Sequence, residues 1–485
     1  MNAVQRIAKN TAALFAAHFV VSILGLVLSI FIARNLGDVI FGKYSFALAF
    51  TAIFAVFSDL GYNTLLIREV ARDKSQVSKY LNNTICIHAL LAIVIFALIV
   101  ITINLMGYPA DTKNVVYLFG IYTLVVSFSA VFKVTFRAFE KMEYEAGITI
   151  FANIIRVSLG LLVLFLGYGL IELALVFLLS GVFDFLLSFL VCERRFVKPK
   201  IEFDFDFWKS TIKIALPLSM LSIFGIIYVR ADTVMLSMMK GDAVVGWYNA
   251  AYNLIRELKI IPTLFLTSLF PAALSVFNKS ENQFYRYYEK SIKYLIAIGL
   301  PMAIGITLLS DKIIMFVYGP QYTNSISALQ ILSWDCLLLF IYVALGNALV
   351  GMGKERQVAL SALICACVNV ALNFLLIPRF SLIGSAVATV FAETILLISY
   401  LYLMKKYHRS MPIHKFMVKP ILASVPMIGI VTLLAVNLLL VILLSAITYF
   451  TVFFAIGGLD SEEKKLIYAF FHTTKKVLQR LKGSF

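Results

Sequence analysis

The chain reads as a train of apolar runs separated by short turns that carry charge or glycine. A helix needs about 20 apolar residues to cross a bilayer. Runs of that kind lie near 11–33, 44–66, 83–106, 115–135, 146–167, 170–192, 211–238, 243–272, 291–310, 325–351, 357–378, 381–404, 417–436 and 438–457. The pattern predicts about fourteen membrane spans. The last two come from one stretch, 417–457, which is nearly unbroken and is divided at Asn437. The first run ends at Arg34 and Gly37 without a small-residue cleavage site, so it reads as a span rather than a signal peptide.

A repeat overlies the spans. LGDVIFGKYSFALAF (36–50) returns as KGDAVVGWYNAAYNL (240–254), aligning Gly37, Asp38, Gly42 and Tyr44 with Gly241, Asp242, Gly246 and Tyr248. A second echo relates 138–144 and the spans after it to 351–357 and its spans. The expected organisation is an N-terminal lobe of six spans (1–195), a linker (196–210), a C-terminal lobe of six spans (211–407), two extra spans (408–458) and a tail (459–485). Six spans before the linker make the repeats parallel, an arrangement that places a substrate site between the halves near the midplane. The linker sequence IEFDFDFW (201–208) reads as an interfacial segment with its aromatics at headgroup depth. In the tail, Leu466, Phe470, Leu478 and Leu481 share a face among lysines, predicting a basic amphipathic helix on the membrane surface.

Composition fixes the solvent. Apolar residues make up 61% of the chain and charged residues 14%, against about 25% charged in soluble domains. The fold class is an all-α polytopic membrane protein. The net charge of +16 would suit nucleic acid, but its distribution points to lipid. Basic residues crowd alternate span ends, including Arg68, Arg72, Lys133, Arg137, Arg194, Arg195, Lys290, Lys293, Lys405 and Lys406. The opposite ends carry only Arg34, Lys43, Lys113, Lys240, Lys312 and Arg379. The positive-inside rule then puts both termini in the cytoplasm, in the cell membrane, with the basic ends facing anionic lipid. Five scattered cysteines form neither a disulfide framework nor a zinc spacing.

Charge inside the membrane is expensive and is paired or faces a wet cavity. Span 7 carries Arg230 and Asp232, which are two apart and do not face each other. Span 8 carries Arg256 and Lys259, three apart and expected on one face, with Glu257 pointing elsewhere. Two cations on one face suit a phosphate or diphosphate, Arg giving bidentate contacts and Lys a point charge. Asp59 and Arg156 are the first-half charges; Asp184, Asp335 and Glu393 are single carboxylates able to carry a proton or bind sodium. The plainer alternative for all of them is interhelical pairing. Walker A, nucleophile-elbow and HExxH motifs are absent, and no extramembrane segment is large enough for an ATPase. The chain therefore reads as a transporter rather than an enzyme, without cofactor, driven by a proton or sodium gradient or by its substrate's own.

The stretches IARNLGDVIFGKYSFALAF, FSDLGYNTLLIREVAR, ADTVMLSMMKGDAVVGWYNAAYNL, FVYGPQY and NFLLIPRFSLIGSAVATVFAE resemble the polysaccharide-transporter branch of the multidrug/oligosaccharidyl-lipid/polysaccharide flippase superfamily. The resemblance covers nearly the whole chain. It implies two six-helix lobes around a central cavity, an alternating-access cycle, and translocation of a polyprenyl-diphosphate-linked oligosaccharide, with other polysaccharide-assembly proteins as further partners. On this reading Arg230, Arg256 and Lys259 bind the headgroup phosphates, Arg156 contributes from the other lobe, and Asp59, Asp232 and Glu257 gate the site or carry the coupling ion. The alternatives are an ion-coupled exporter of organic cations, which wants an acidic cavity, and an integral-membrane glycan polymerase, which wants a sizeable outer loop with acid or base residues.

Overall fold

Glycine 37 turns the first long apolar helix back on itself. In the computed structural model, which describes residues 3–266, 281–434 and 437–458, α1 (Ala3–Ala55) is two helices meeting at Gly37, whose φ of 81° lies in the region that glycine occupies without a Cβ penalty. A second break follows at Leu60 and Gly61, both at positive φ, and α2 (Tyr62–Arg72) continues from there. The expected second span is thus bent within its length. Next come α3 (Val77–Leu105), α4 (Ala110–Ala138), α5 (Met142–Phe165) and α6 (Leu170–Arg195).

The C-terminal lobe repeats this plan with α7 (Phe205–Lys240), α8 (Asp242–Glu257), α9 (Glu281–Val317), α10 (Ser325–Gly351) and α11 (Glu355–Tyr407). Gly241, at φ 86°, makes the α7–α8 turn as Gly37 makes the first. Helix α11 is again two helices, bent at Ser381. Two further helices follow, α12 (Ile413–Leu433) and α13 (Leu438–Ala455). They divide at Asn437, whose Oδ1 accepts the Leu439 amide at 3.0 Å and caps α13. Among the described residues eleven helices are long and apolar enough to cross a membrane. The bends within α1 and α11 and the interrupted α8 bring these to about fourteen crossings. Among the described residues there is no strand. The expected amphipathic tail, 459–485, lies outside the described residues.

The linker is shorter than its sequence implies. Asp204 Oδ1 accepts the Phe207 amide at 2.9 Å, so α7 begins at Phe205 and takes in 205–210. The irregular part, 196–204, is held to the first lobe by Asn82 and Asn83 on α3. Asn82 Oδ1 accepts the Lys200 amide at 2.9 Å, and Asn83 Oδ1 accepts the Trp208 indole at 2.7 Å.

Large apolar side chains cover the outside: Leu105, Phe165, Phe374, Leu433 and Leu439 are all exposed. In water such a surface would be untenable; in lipid it is the expected one. The interior is aromatic and polar, with Tyr44, Phe119 and Phe177 meeting edge to face in the first lobe and Tyr248 stacked on Tyr252 in the second.

The lobes meet at both ends. At the Lys/Arg-poor end Gly42 lies against the Asp242 backbone and Gly246 against the Asp38 backbone, so the two repeated motifs pack on each other. Arg34 donates to the Phe316 and Val317 carbonyls, and Tyr322 donates to the Ala33 carbonyl at 3.0 Å. At the Lys/Arg-rich end Gly61 abuts the Ala215 carbonyl, and Tyr62 donates to the Trp208 carbonyl at 3.4 Å.

Candidate functional site

Between the two contact zones lies a cavity of about 400 Å3, lined by both lobes. Arg156 comes from α5, Arg230 from α7, and Arg256 with Glu257 from the end of α8; Ser22, Ser29, Tyr44, Tyr122, Asn249 and Asn253 add polar walls. Four residues singled out from the sequence therefore face one space.

The three guanidiniums differ in how far they are already satisfied. Arg156 donates to the Tyr122 hydroxyl at 2.7 Å and to Asn153 Oδ1, and its plane lies 5.2 Å from the Phe177 ring centroid. These contacts hold it rigid. Arg256 shares a 3.2 Å ion pair with its neighbour Glu257. Arg230 has a buried Nε with no acceptor among the described residues. An unmet charged donor in a low-dielectric wall costs free energy until an acceptor arrives. Three cations against one carboxylate leave the cavity cationic, which suits an anion with several oxygens.

Lys259 and Glu257 depart from the sequence expectation. Helix α8 ends at Glu257, and 258–259 form a turn before the chain becomes helical again over 260–266. The three-residue spacing that would put Lys259 beside Arg256 holds only on a continuous helix. Lys259 is exposed and does not line the cavity. Glu257, expected on another face, lines the cavity instead.

The two aspartates read as gating or ion-coupling groups lie outside the cavity. Asp59 sits at the break before α2, accepting the Asn63 amide at 2.8 Å, with the buried His88 ring 3.8 Å away. Asp232 is buried behind α8 in the second lobe. Its Oδ2 accepts from the Tyr248 and Thr389 hydroxyls, each at 2.7 Å, and its Oδ1 accepts from Asn373 at 2.8 Å. Nearby, Asn369 Nδ2, Asn373 Oδ1 and Ser385 Oγ have no partner among the described residues. Reasoning from charge alone missed Asn369, Asn373, Ser385 and Thr389. The signal was present: Asn369 and Asn373 are four apart, as are Ser385, Thr389 and Glu393, so each set forms a polar stripe on one face of an apolar helix.

A second opening adjoins the cavity. A groove of about 290 Å3 runs between α1 and α8, floored by Ile306 and Ile313 of α9 and Leu329 of α10, lined by Phe19, Ile23, Leu254, Ile255 and Leu258, and shares Ser22, Leu26 and Glu257 with the cavity. It is almost wholly apolar, so the cationic cavity and an apolar groove meet at Glu257.

A two-lobed bundle of apolar helices enclosing a polar cavity is the architecture of a multi-pass membrane transporter. The chain belongs to the polysaccharide biosynthesis protein family, whose sequence profile matches residues 7–277. The MatE profile matches residues 217–375. Among named relatives, the capsular polysaccharide biosynthesis protein CapF of Staphylococcus aureus is 24% identical over 82% of this chain and 99% of its own. The probable low-salt glycan biosynthesis flippase Agl15 of Haloferax volcanii is 24% identical over 79% of this chain and 80% of its own. Among solved structures, the lipid II flippase MurJ in an inward closed conformation superposes with a TM-score of 0.77 at 19% identity, over 92% of this chain and 98% of that one. At that identity the likeness is one of fold.

Proposed function

We propose that the protein moves a polyprenyl-diphosphate-linked oligosaccharide from the cytoplasmic to the outer leaflet of the cell membrane by alternating access, with both termini in the cytoplasm. One observation carries the reading: three arginines from both lobes line one cavity, and an apolar groove opens from its side. The diphosphate takes the guanidiniums, the prenyl chain lies in the groove between α1 and α8, and the sugars occupy the polar walls. Because Arg156 belongs to one lobe and Arg230 and Arg256 to the other, a bound diphosphate draws the lobes together. Relatives whose names include flippases and capsular polysaccharide biosynthesis support the same substrate class, and other proteins of polysaccharide assembly are the natural partners. Transport needs no bond to be made or broken, so the protein acts as a carrier rather than an enzyme. Asp232 is the candidate for a coupling proton or sodium ion, since its carboxylate sits among polar groups of three helices.

The other reading is export of organic cations, which the MatE match favours. The cationic cavity disfavours it, because a cationic substrate would meet three arginines and one carboxylate. The deciding experiment is transfer of a fluorescent polyprenyl-diphosphate oligosaccharide across proteoliposomes. Wild type should transfer it and Arg256→Ala should not, with both proteins folded. Transfer that is unaffected by the substitution rejects the headgroup assignment. Wild-type failure to transfer the lipid, with efflux of an organic cation in its place, rejects the substrate class.

A further inference from the structure

A pocket of about 880 Å3 opens at the Lys/Arg-rich end, apart from the central cavity, where the two added helices meet the second lobe. Helix α9 lines it with Arg286, Lys290 and Lys293, and α12 lines it with Lys415 and Lys419. The first three are four and three apart and the last two are four apart, so each helix turns one basic stripe toward the same space. Five cations against the single carboxylate of Glu289 among the described lining residues leave an excess of four positive charges. Basic residues crowd this end of the molecule generally; these converge on one pocket.

Contacts beneath the charges hold the walls in place. The Tyr449 hydroxyl of α13 donates to the Ala297 carbonyl of α9 at 2.7 Å, and Ala423, Met427 and Phe453 pack with them. Tyr285 donates to the Ser410 carbonyl at 2.8 Å, tying the start of α9 to the turn before α12. Lys419 donates to the Gly457 carbonyl at 2.6 Å and fixes the α13 side of the mouth. On that frame, like charges four apart on a helix and opposed across a gap repel one another. An anion with several oxygens set between them reverses the sign. Arg286, Lys290, Lys415 and Lys419 are exposed and can reach it. The pocket also runs onto an apolar outer surface: Val418, Ile421, Leu422 and Val425 of α12 and Phe450 and Phe454 of α13 are exposed. A phosphate held in the pocket therefore has room for hydrocarbon beside it, which a free phosphate would leave unused.

We propose that this pocket binds the phosphodiester headgroup of an anionic glycerophospholipid from the surrounding leaflet, at a site separate from the central cavity. Arg286 can grip the phosphate through two N–H groups, while Lys290 and Lys415 act as point charges from facing helices. The acyl chains lie along α12 and α13. A lipid so held bridges α9 to α12 and staples the added helices, which have no counterpart in the repeat, onto the second lobe. The site does not depend on what the protein transports.

Photocrosslinking of the full chain in phosphatidylcholine nanodiscs tests it, with a trace of photoreactive phosphatidylglycerol or of matched photoreactive phosphatidylcholine. Peptide mapping should place more phosphatidylglycerol than phosphatidylcholine adducts on 283–293 and 415–420. A basic residue beside an anionic lipid headgroup contributes about fivefold in affinity. Arg286→Gln, Lys290→Gln and Lys415→Gln together should therefore weaken phosphatidylglycerol binding about a hundredfold, and Arg256→Ala in the cavity should leave it unchanged. Phosphatidylglycerol should also raise the thermal unfolding midpoint of wild type but not of the triple variant. If the triple variant fails to fold, Lys290→Gln decides alone, with a loss of about fivefold. Equal adducts from the two lipids at these segments overturn the proposal, as does a preference that survives the triple substitution. Displacement of phosphatidylglycerol by inorganic phosphate, but not by chloride at the same ionic strength, overturns it in favour of a free-phosphate site. Displacement by a short-chain prenyl diphosphate at lower concentration than by phosphatidylglycerol itself overturns it in favour of a station for the transported lipid.

Discussion

Gly42 sits directly on the main-chain carbonyl of Asp242, and the repeat makes the mirrored contact between Gly246 and Asp38. In each case the nearest neighbour is backbone, which cannot swing aside as a side chain can. A Cβ at either position would overlap the facing helix. Gly42→Val and Gly246→Val should therefore hold the lobes apart at the Lys/Arg-poor end. Overpacking of this kind costs about 1–3 kcal/mol, enough to shift a two-state population about fivefold to a hundredfold. Spin-label distances between α1 and α8 should lengthen, and lipid transfer should fall at least about fivefold with folded protein retained. Unchanged distances would show that the contact is not a gate.

The same pair marks what the sequence made legible. Glycine, aspartate and tyrosine at matched spacing announced two related lobes, and the glycines proved to be where those lobes touch. The span pattern was equally plain, because lipid demands uninterrupted apolar helices and leaves little freedom in reading them. Arg156, Arg230 and Arg256 stood out as charges in apolar runs, and they line one cavity. Lys259 misled because face arithmetic assumes an unbroken helix, and the one breaker in NLIRELKIIP, Pro262, stands three residues beyond it and is common enough in membrane helices to pass as a kink. The Asp232 shell was hidden for another reason. Asn and Thr are cheap enough in a membrane helix to pass as helix–helix hydrogen bonds, and only the fold brings Asn373 of α11's first arm and Thr389 of its second to the Asp232 carboxylate.

The arginines should differ in weight. Arg230 carries an unmet donor, whereas Arg156 is already engaged by Tyr122 and Asn153. Charge-assisted hydrogen bonds contribute about 1.5–3 kcal/mol each, so Arg230→Gln should weaken binding of a short-chain prenyl diphosphate by about tenfold to a hundredfold. Arg156→Gln should weaken it less, and Lys259→Gln should not weaken it. Titration calorimetry in detergent decides the order. Equal losses at Arg230 and Lys259 would return Lys259 to the cavity wall.

Asp232 separates charge from shape. Asp232→Asn keeps the size of the side chain and can still accept from Tyr248 or Thr389, whereas Asp232→Ala removes three hydrogen bonds at once and leaves their donors only the bonds they share with Ser385, Asn369 and each other. A hydrogen bond to a charged group contributes about 1.5–3 kcal/mol. Thermal unfolding in nanodiscs should show Asp232→Ala well below wild type and Asp232→Asn close to it. Transport by Asp232→Asn should lose its response to an imposed ion gradient. If the response to both proton and sodium gradients survives, Asp232 is a structural hub for α7, α8 and α11 rather than a coupling site.

The strongest test of what holds the first lobe together is the Lys133–Asp184 pair. Lys133 Nζ lies 2.7 Å from both oxygens of Asp184, and Ser129 donates to the same carboxylate at 2.6 Å. Both side chains are almost wholly buried between α4 and α6. Such a pair gains little over well-packed apolar residues, because removing both charges from water costs about as much as their attraction returns. Breaking it is another matter, since the remaining charge has no partner. Asp184→Leu alone should therefore destabilise the protein by about 3–5 kcal/mol, and Lys133→Met alone by a similar amount. The double variant should recover most of the loss. Thermal unfolding of the three variants, read as a double-mutant cycle, measures the coupling directly. A double variant no more stable than either single one would mean that the pair supplies net stability that apolar packing between α4 and α6 does not replace.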